Sequence, residues 1–177
     1  MHDRRSLIEG AALLAMLGLT GDASAQGTKP AFALDFPGKG KIPWFKRIFH
    51  LYTGEDALTR IEQLPTNAPL AGEVSQLLRR SAERVTISGT SAGAGFDFHV
   101  ANQPTLLIPI FGSMIVGLHD GSFHEFGHGD MLYAEDCTGK GHISRSGRHG
   151  SFIVQVQLPK KLCPAVGSSD RSKLWSD

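Results

Sequence analysis

The feature that most restricts this chain is the crowding of short apolar runs between glycine-marked breaks in its second half. Phe96–Val100, Leu106–Phe111, Met114–Leu118, Ser122–Phe126, Met131–Ala134, His142–Arg145 and Phe152–Leu158 follow one another closely. None repeats its apolar residues at the three-to-four spacing by which a helix buries one stripe, and several are rich in β-branched and aromatic residues. The breaks fall at Gly112, at His119-Asp120-Gly121 and at Gly127-His128-Gly129-Asp130. Asp-Gly is a strong hairpin signal, because the tight turn that joins twisted strands needs positive φ. Short strands at this spacing predict an all-β sandwich or barrel.

The residues upstream agree. Arg47–Tyr52, a turn at Gly54–Asp56, and the alternating Arg60–Leu64 predict two strands. Arg84–Ser88 predicts another, followed by a loop over Gly89–Gly95. Only Leu70–Ala82, with Glu73-Val-Ser-Gln-Leu-Leu-Arg-Arg80, suits a helical turn or two. Residues 26–44 are rich in Gly, Pro and Lys and predict an extended N-terminal arm.

The first 25 residues have a different character. A charged start is followed by the apolar run Ala11–Leu19 and by Ala23-Ser-Ala25, the pattern of an export signal cut after Ala25. The run is too short for a membrane-spanning helix, which takes about 20 apolar residues. Arg4-Arg5-Ser6-Leu7-Ile8 is similar to the twin-arginine export motif, with Glu9 where a lysine is usual; the alternative is a general secretory signal. Either places the protein in the periplasm or outside the cell. The division expected is 1–25 signal, 26–44 arm, 45–160 a single β-domain, and 161–177 a C-terminal tail.

Cleavage would remove two arginines and three acids, turning the net charge of +1 into +2. So even a balance makes no electrostatic case for nucleic acid or an anionic membrane. Cys137 and Cys163 are the two cysteines. An oxidising compartment permits their pairing, and two separate thiols are the other reading.

The most polar stretch is Tyr133-Ala-Glu-Asp-Cys-Thr-Gly-Lys-Gly-His-Ile-Ser-Arg145. A phosphate-cradling loop needs Gly, four residues, then Gly-Lys-Ser/Thr opening a helix. Here Ala134 stands at the first glycine, Gly141 follows Lys140, and no helical pattern comes after. A corner between strands fits better. Gly139 and Gly141 supply positive-φ positions, and Lys140 is a solvated turn residue or a greeter of anionic ligands.

With Phe96-Asp-Phe-His99, Gly112, Asp120-Gly121, Phe126-Gly-His-Gly-Asp130 and Glu135-Asp-Cys-Thr-Gly-Lys-Gly-His142 in place, residues 46–158 resemble the small single-domain cupins. Many of these carry a similar Glu-Asp-Thr-Thr-Gly-Lys-Gly-His element. The resemblance implies a jelly-roll β-barrel and says little about reaction. Metal-binding cupins take His-x-His and a glutamate from a first motif and a histidine from a second. Registered on Gly112, His99 holds the first histidine position, Ala101 the second and Thr105 that of the glutamate, with His142 as the last. Two imidazoles of a four-ligand set remain. A divalent metal on His99 and His142, or no metal at all, are both open.

Strand alternation places Asp97, His99 and Ala101 on one face, which the register turns into the barrel. Phe96, Phe98 and Val100 would then face out and need cover, from a second subunit or from the arm with Trp44 and Phe45; homodimers are common among cupins. His99, His142, Glu135 and Asp136 are the candidate catalytic residues, and Asp97, Gln103, Thr105 and Lys140 the candidate ligand contacts. The function expected is capture of a small polar or anionic molecule, with proton-transfer chemistry of isomerase or lyase type on the histidine pair. The alternative is a non-catalytic binding or structural module with a degenerate metal site. His50, His119, His124, His128 and His149 carry no motif.

Overall fold

The computed structural model describes residues 41–43, 45–64, 67–69, 78–171 and 174, all within the compact unit Phe36–Asp177. The signal over 1–25, most of the arm with Trp44, and residues 70–77 of the helical reading lie outside the described residues. Residues 78–82 are not helical.

The chain is all-β, as its strand spacing predicts. In order come β1 (Lys41–Pro43), β2 (Arg47–Thr53), β3 (Thr59–Leu64), β4 (Asn67–Pro69), β5 (Arg84–Thr90), β6 (Gly95–His99), β7 (Thr105–Gly117), β8 (Phe123–Gly127), β9 (Asp130–Ala134) and β10 (His142–Gln157). A 3-10 turn follows at Lys160–Leu162. β1 and β4 form a small antiparallel pair. The other eight strands form one mixed sheet in the order β3-β2-β9-β7-β10-β5, with β6 on β10 and β8 on β7. No helix among the described residues is long and apolar enough to cross a membrane.

Two of the runs read separately are halves of longer strands. Leu106–Phe111 and Met114–Gly117 belong to β7, and His142–Arg145 and Phe152–Gln157 to β10. β7 and β10 pair along their length and bend together at Gly112 and Gly150, where the register shifts between Ser146 and Ser151. Both glycines take positive φ. A Cβ on Gly112 would lie 2.0 Å from the Gly150 carbonyl oxygen, so only glycine permits the crossing. Beyond the bend each spine strand changes neighbour. β10 pairs with β6 through its first half and β5 through its second, while β7 pairs with β9 and then β8.

The core lies on both faces of the parallel β2–β9 pair. Leu132 and Ala134 join Phe49, Leu51, Met114, Val116 and Phe126 in one cluster. Met131 and Tyr133 point the other way, to Ile48, Leu64, Leu106, Leu158 and Leu174. A strand covered on both faces has no polar side to show, which is why Met131–Ala134 does not alternate. Tyr133 is buried among these residues, and burial pushes its phenol up to about 12.

Arg47 and Asp130 pin the start of that pair. The guanidinium donates to Asp130 from Nε at 3.0 Å and Nη2 at 2.6 Å, and the Gly127 amide donates a third bond at 2.9 Å. Burial raises the Asp130 carboxyl, but the Arg47 hydrogen bonds, the Gly127 amide and the arginine charge outweigh it, and its pKa lies below the ordinary 3.8. A carboxyl depressed on folding adds stability that is complete above its unfolded value and drains away as pH falls through the folded one. Acid unfolding followed by circular dichroism should therefore begin at higher pH in Asp130→Asn than in the parent. An onset in the variant no higher than the parent's would deny the pair this role.

Candidate functional site

Inside the sheet, between β5, β6, β7, β9 and β10, lies a cavity of about 440 Å³. His99 and His142 are direct cross-strand partners on β6 and β10, and both line the cavity with ring centroids 4.6 Å apart. Gly141 sets this approach. Its φ is +71°, and a Cβ there would lie 2.1 Å from the His99 carbonyl oxygen. The Gly139-Lys-Gly141 corner thus lets the chain pass against β6 and enter β10 at His142.

Each ring is held through Nδ1. His99 Nδ1 donates to the Asp97 carbonyl oxygen at 2.7 Å; a carbonyl can only accept, so the hydrogen sits on Nδ1 and the neutral ring offers a lone pair at Nε2. His142 Nδ1 lies 2.7 Å from Asp136 Oδ2, which also accepts from the Thr59 hydroxyl at 2.9 Å. Asp136 is 0% exposed, and its Oδ1 has no hydrogen-bond partner among the described residues. A carboxylate oxygen accepts, so the His142 Nδ1 carries the hydrogen of that bond and the ring is held in one orientation.

The other candidates divide. Thr105 lines the cavity, its hydroxyl donating to the Gln103 carbonyl at 2.9 Å. Gln103 itself is turned to Glu83 and to the Leu158 carbonyl. Lys140 is exposed on its turn, where its carbonyl accepts from His119 Nε2 at 3.3 Å. Neither lines the cavity.

Asp97 corrects the expected alternation. Its side chain is 89% exposed and pairs with Arg145, and Phe96 lines the cavity in its place. The cause is a bulge: His142 pairs with His99 but Ser144 pairs with Phe96, so three steps on β6 face two on β10. One extra residue reverses which side chains share a face. Val100 also lines the cavity, and Phe98 stacks on His119 with centroids 3.8 Å apart.

Glu135 belongs to a different cluster. Its Oε1 lies 2.8 Å from His50 Nε2 and accepts from the Ser169 hydroxyl at 2.6 Å. His50 Nδ1 faces Glu62 Oε1 at 2.9 Å, and Arg171 pairs with Glu62 at 3.0 Å. Both nitrogens of a buried ring thus face carboxylate oxygens. No sequence motif marks this cluster, although a hairpin turning at Gly54–Asp56 places His50 opposite Glu62. Cys137, two residues after Glu135, is bonded to Cys163. Glu135, Asp136 and Cys137 therefore serve the tail cluster, the cavity and the disulfide in turn.

As a metal centre the donor set falls short. Each imidazole has the outer hydrogen bond that metal-bound histidines use, but no group of three or more His, Cys, Asp or Glu side chains converges among the described residues. A catalytic zinc takes three protein ligands. The two rings, one backed by a carboxylate, suit proton transfer.

No family model matches the chain, and no curated protein matches it. The crystal structure of protein NMB1881 from Neisseria meningitidis is similar at 19% identity over 48% of this chain and 82% of that one, with a TM-score of 0.35. So loose a likeness carries no argument here.

Proposed function

We propose that this is an exported, cupin-type jelly-roll barrel that binds a small polar or anionic molecule in its cavity and moves a proton on it, as an isomerase or lyase does. The observation that carries the reading is the pair of cavity imidazoles, opposed at 4.6 Å, each anchored through Nδ1. The all-β architecture and the positive-φ glycines at residues 112, 121, 139 and 141 support the cupin assignment. The Cys137–Cys163 bond supports an oxidising compartment, the periplasm.

The two rings differ in what stands behind them. His99 rests on a neutral carbonyl and serves as the base at Nε2. His142 rests on a buried carboxylate, the arrangement of an imidazole that passes a proton on, and it delivers the proton; Asp136 is the positioning residue that fixes its tautomer and orientation. Thr105 shapes the wall. A metal would add Lewis-acid chemistry at the same Nε2 atoms, and no step here depends on one.

Solvent-deuterium incorporation into a panel of hydroxy and keto acids, read by proton NMR, tests this while the substrate is still unidentified. The protein should label at least one compound. His99→Gln and His142→Gln should each slow labelling by about 10²–10⁴, the usual worth of a positioned acid or base. Unchanged rates in both variants would sink the pair. Elemental analysis of untagged protein addresses the metal: near one ion per chain, lost in both variants, would replace acid–base chemistry with a metal centre. A second reading, a non-catalytic binding module, draws on Ala101 and Thr105 at the vacated ligand positions; saturable binding without labelling would establish it.

The protein is also proposed to form a homodimer. Val85, Ile87, Phe111 and Phe152 are exposed on neighbouring strands β5, β10 and β7, and β5 pairs only with β10 among the described strands. An apolar stripe beside an open edge invites a second copy. Light scattering should give twice the chain mass, and Ile87→Lys should give the monomer. A monomeric parent would end the idea.

A further inference from the structure

Ser144 lies two residues along β10 from His142, and strand alternation turns both into the cavity together with Ser146. The Cα atoms of such a pair stand about 7 Å apart, the scale of a small substrate. Arg145, between them, takes the other face and pairs with the exposed Asp97. Ser144 is 8% exposed, yet its hydroxyl has no hydrogen-bond partner among the described residues. Its neighbours across the ladder are Phe96 on β6 and Val116 on β7, whose side chains carry no hydrogen-bonding group. The other buried serines and threonines are all engaged. Thr53 donates to the Thr138 carbonyl and Thr59 to Asp136, while Ser146 and Ser151 bond each other. The Thr138 hydroxyl is unpartnered too, but it lies outside the cavity.

A hydroxyl withdrawn from bulk water calls for an acceptor, and whatever enters the cavity is where this one finds it. Proton transfer at carbon creates such an acceptor. When His99 Nε2 takes the proton, the C–H electron pair needs a destination, and a neighbouring carbonyl provides it. A carbon–carbon double bond forms, the C=O π pair moves onto oxygen, and that oxygen becomes negative. No carboxylate side chain lines the cavity, and its one arginine is turned away. Apart from the two rings, the new charge meets neutral donors, which are worth most where water is excluded. Ser144 is the buried donor with a hydrogen to spare beside His142. His142 Nε2 then returns a proton to carbon, the carbonyl re-forms, and solvent resets both rings. Ser144 keeps its own hydrogen throughout.

From this we infer that Ser144 is a further catalytic residue and that the substrate is an enolisable carbonyl compound, a keto acid or hydroxy ketone, whose carbonyl oxygen accepts the Ser144 hydrogen bond. The inference rests on the proton-transfer function proposed for the cavity and narrows it to carbonyl substrates.

Solvent-deuterium incorporation into pyruvate, 2-oxobutyrate and dihydroxyacetone, against lactate, 2-hydroxybutyrate and glycerol, tests it. The protein should label at least one carbonyl compound above its protein-free rate, and none of the alcohols. Ser144→Ala should slow labelling by about 10²–10³, the usual worth of one donor to a developing oxyanion. The loss should fall on kcat more than on KM, since the bond strengthens as charge gathers on the oxygen. Ser144→Thr, which keeps the hydroxyl, should recover most of it. Ser144→Ala removes no hydrogen bond of the fold, so it should melt no lower than the parent. The ring-nitrogen NMR signals of His99 and His142 should also stay in place. A loss accompanied by displaced ring signals would make Ser144 a support for the histidines and overturn its contact with substrate. Carbonyl labelling unchanged in Ser144→Ala, or labelling confined to the alcohols, overturns the inference and leaves the histidine pair standing. No labelling of any compound by the parent overturns both.

Discussion

Gly141→Ala is expected to lower the unfolding free energy by about 3 kcal/mol, from left-handed backbone strain of about 1–3 kcal/mol and overpacking of about 1–3 kcal/mol. The added methyl would meet the His99 carbonyl oxygen at 2.1 Å, and that neighbour is backbone, with no rotamer to swing aside. Relief requires β6 and the start of β10 to separate where the two histidines face each other. The variant should thus lose deuterium labelling beyond what its stability explains, at temperatures where it remains folded. Gly121→Ala is the control: its φ is also positive, but a Cβ there meets nothing within 4 Å. It should show the strain without the displacement, so equal losses in the two variants would show that Gly141 does not position the site.

The second large effect is on the tail. Removing the Cys137–Cys163 bond, whose partners are 26 residues apart, should cost about 3.5 kcal/mol on the chain-entropy account. Cys163→Ser, compared with the parent in urea, measures it as a lower midpoint. Ser169 on Glu135, Arg171 on Glu62 and buried Leu174 still hold the segment once the bond is gone. A loss below about 1 kcal/mol would mean that the unfolded chain already keeps these two segments close without the bond. Because Cys137 follows Asp136 directly, the same variant should also shift the His142 ring signals.

Strand existence was legible for the eight-stranded sheet, since period-two patterning and Asp-Gly or Gly-x-Gly breaks are local signals, but not for the short β1 and β4, which carry neither signal. Strand continuity was not. β7 and β10 each read as two strands because Gly112 and Gly150 look like ends, and only their mutual packing shows them to be bends. The approach of His99 to His142 followed from the motif resemblance and from the glycine corner. The surroundings of the pair did not, because one extra residue in β6 reverses the faces of Asp97 and Phe96, and a bulge leaves no mark in composition. Glu135 and Asp136 look interchangeable as sequence, yet neighbouring side chains take opposite faces and one joins His50 while the other joins His142.

The parallel pairing of β2 with β9 has a kinetic meaning. Arg47 meets Asp130 across 83 residues of chain, and β3 to β8 lie between them in sequence. The central ladder cannot zip until that span has been drawn in, so the entropy of closure falls before the reward of burial. Refolding should accordingly run in milliseconds to seconds, the range of non-local β-topologies, with the hairpin of β2 and β3 waiting, one flank bare, for the rest of the molecule to arrive.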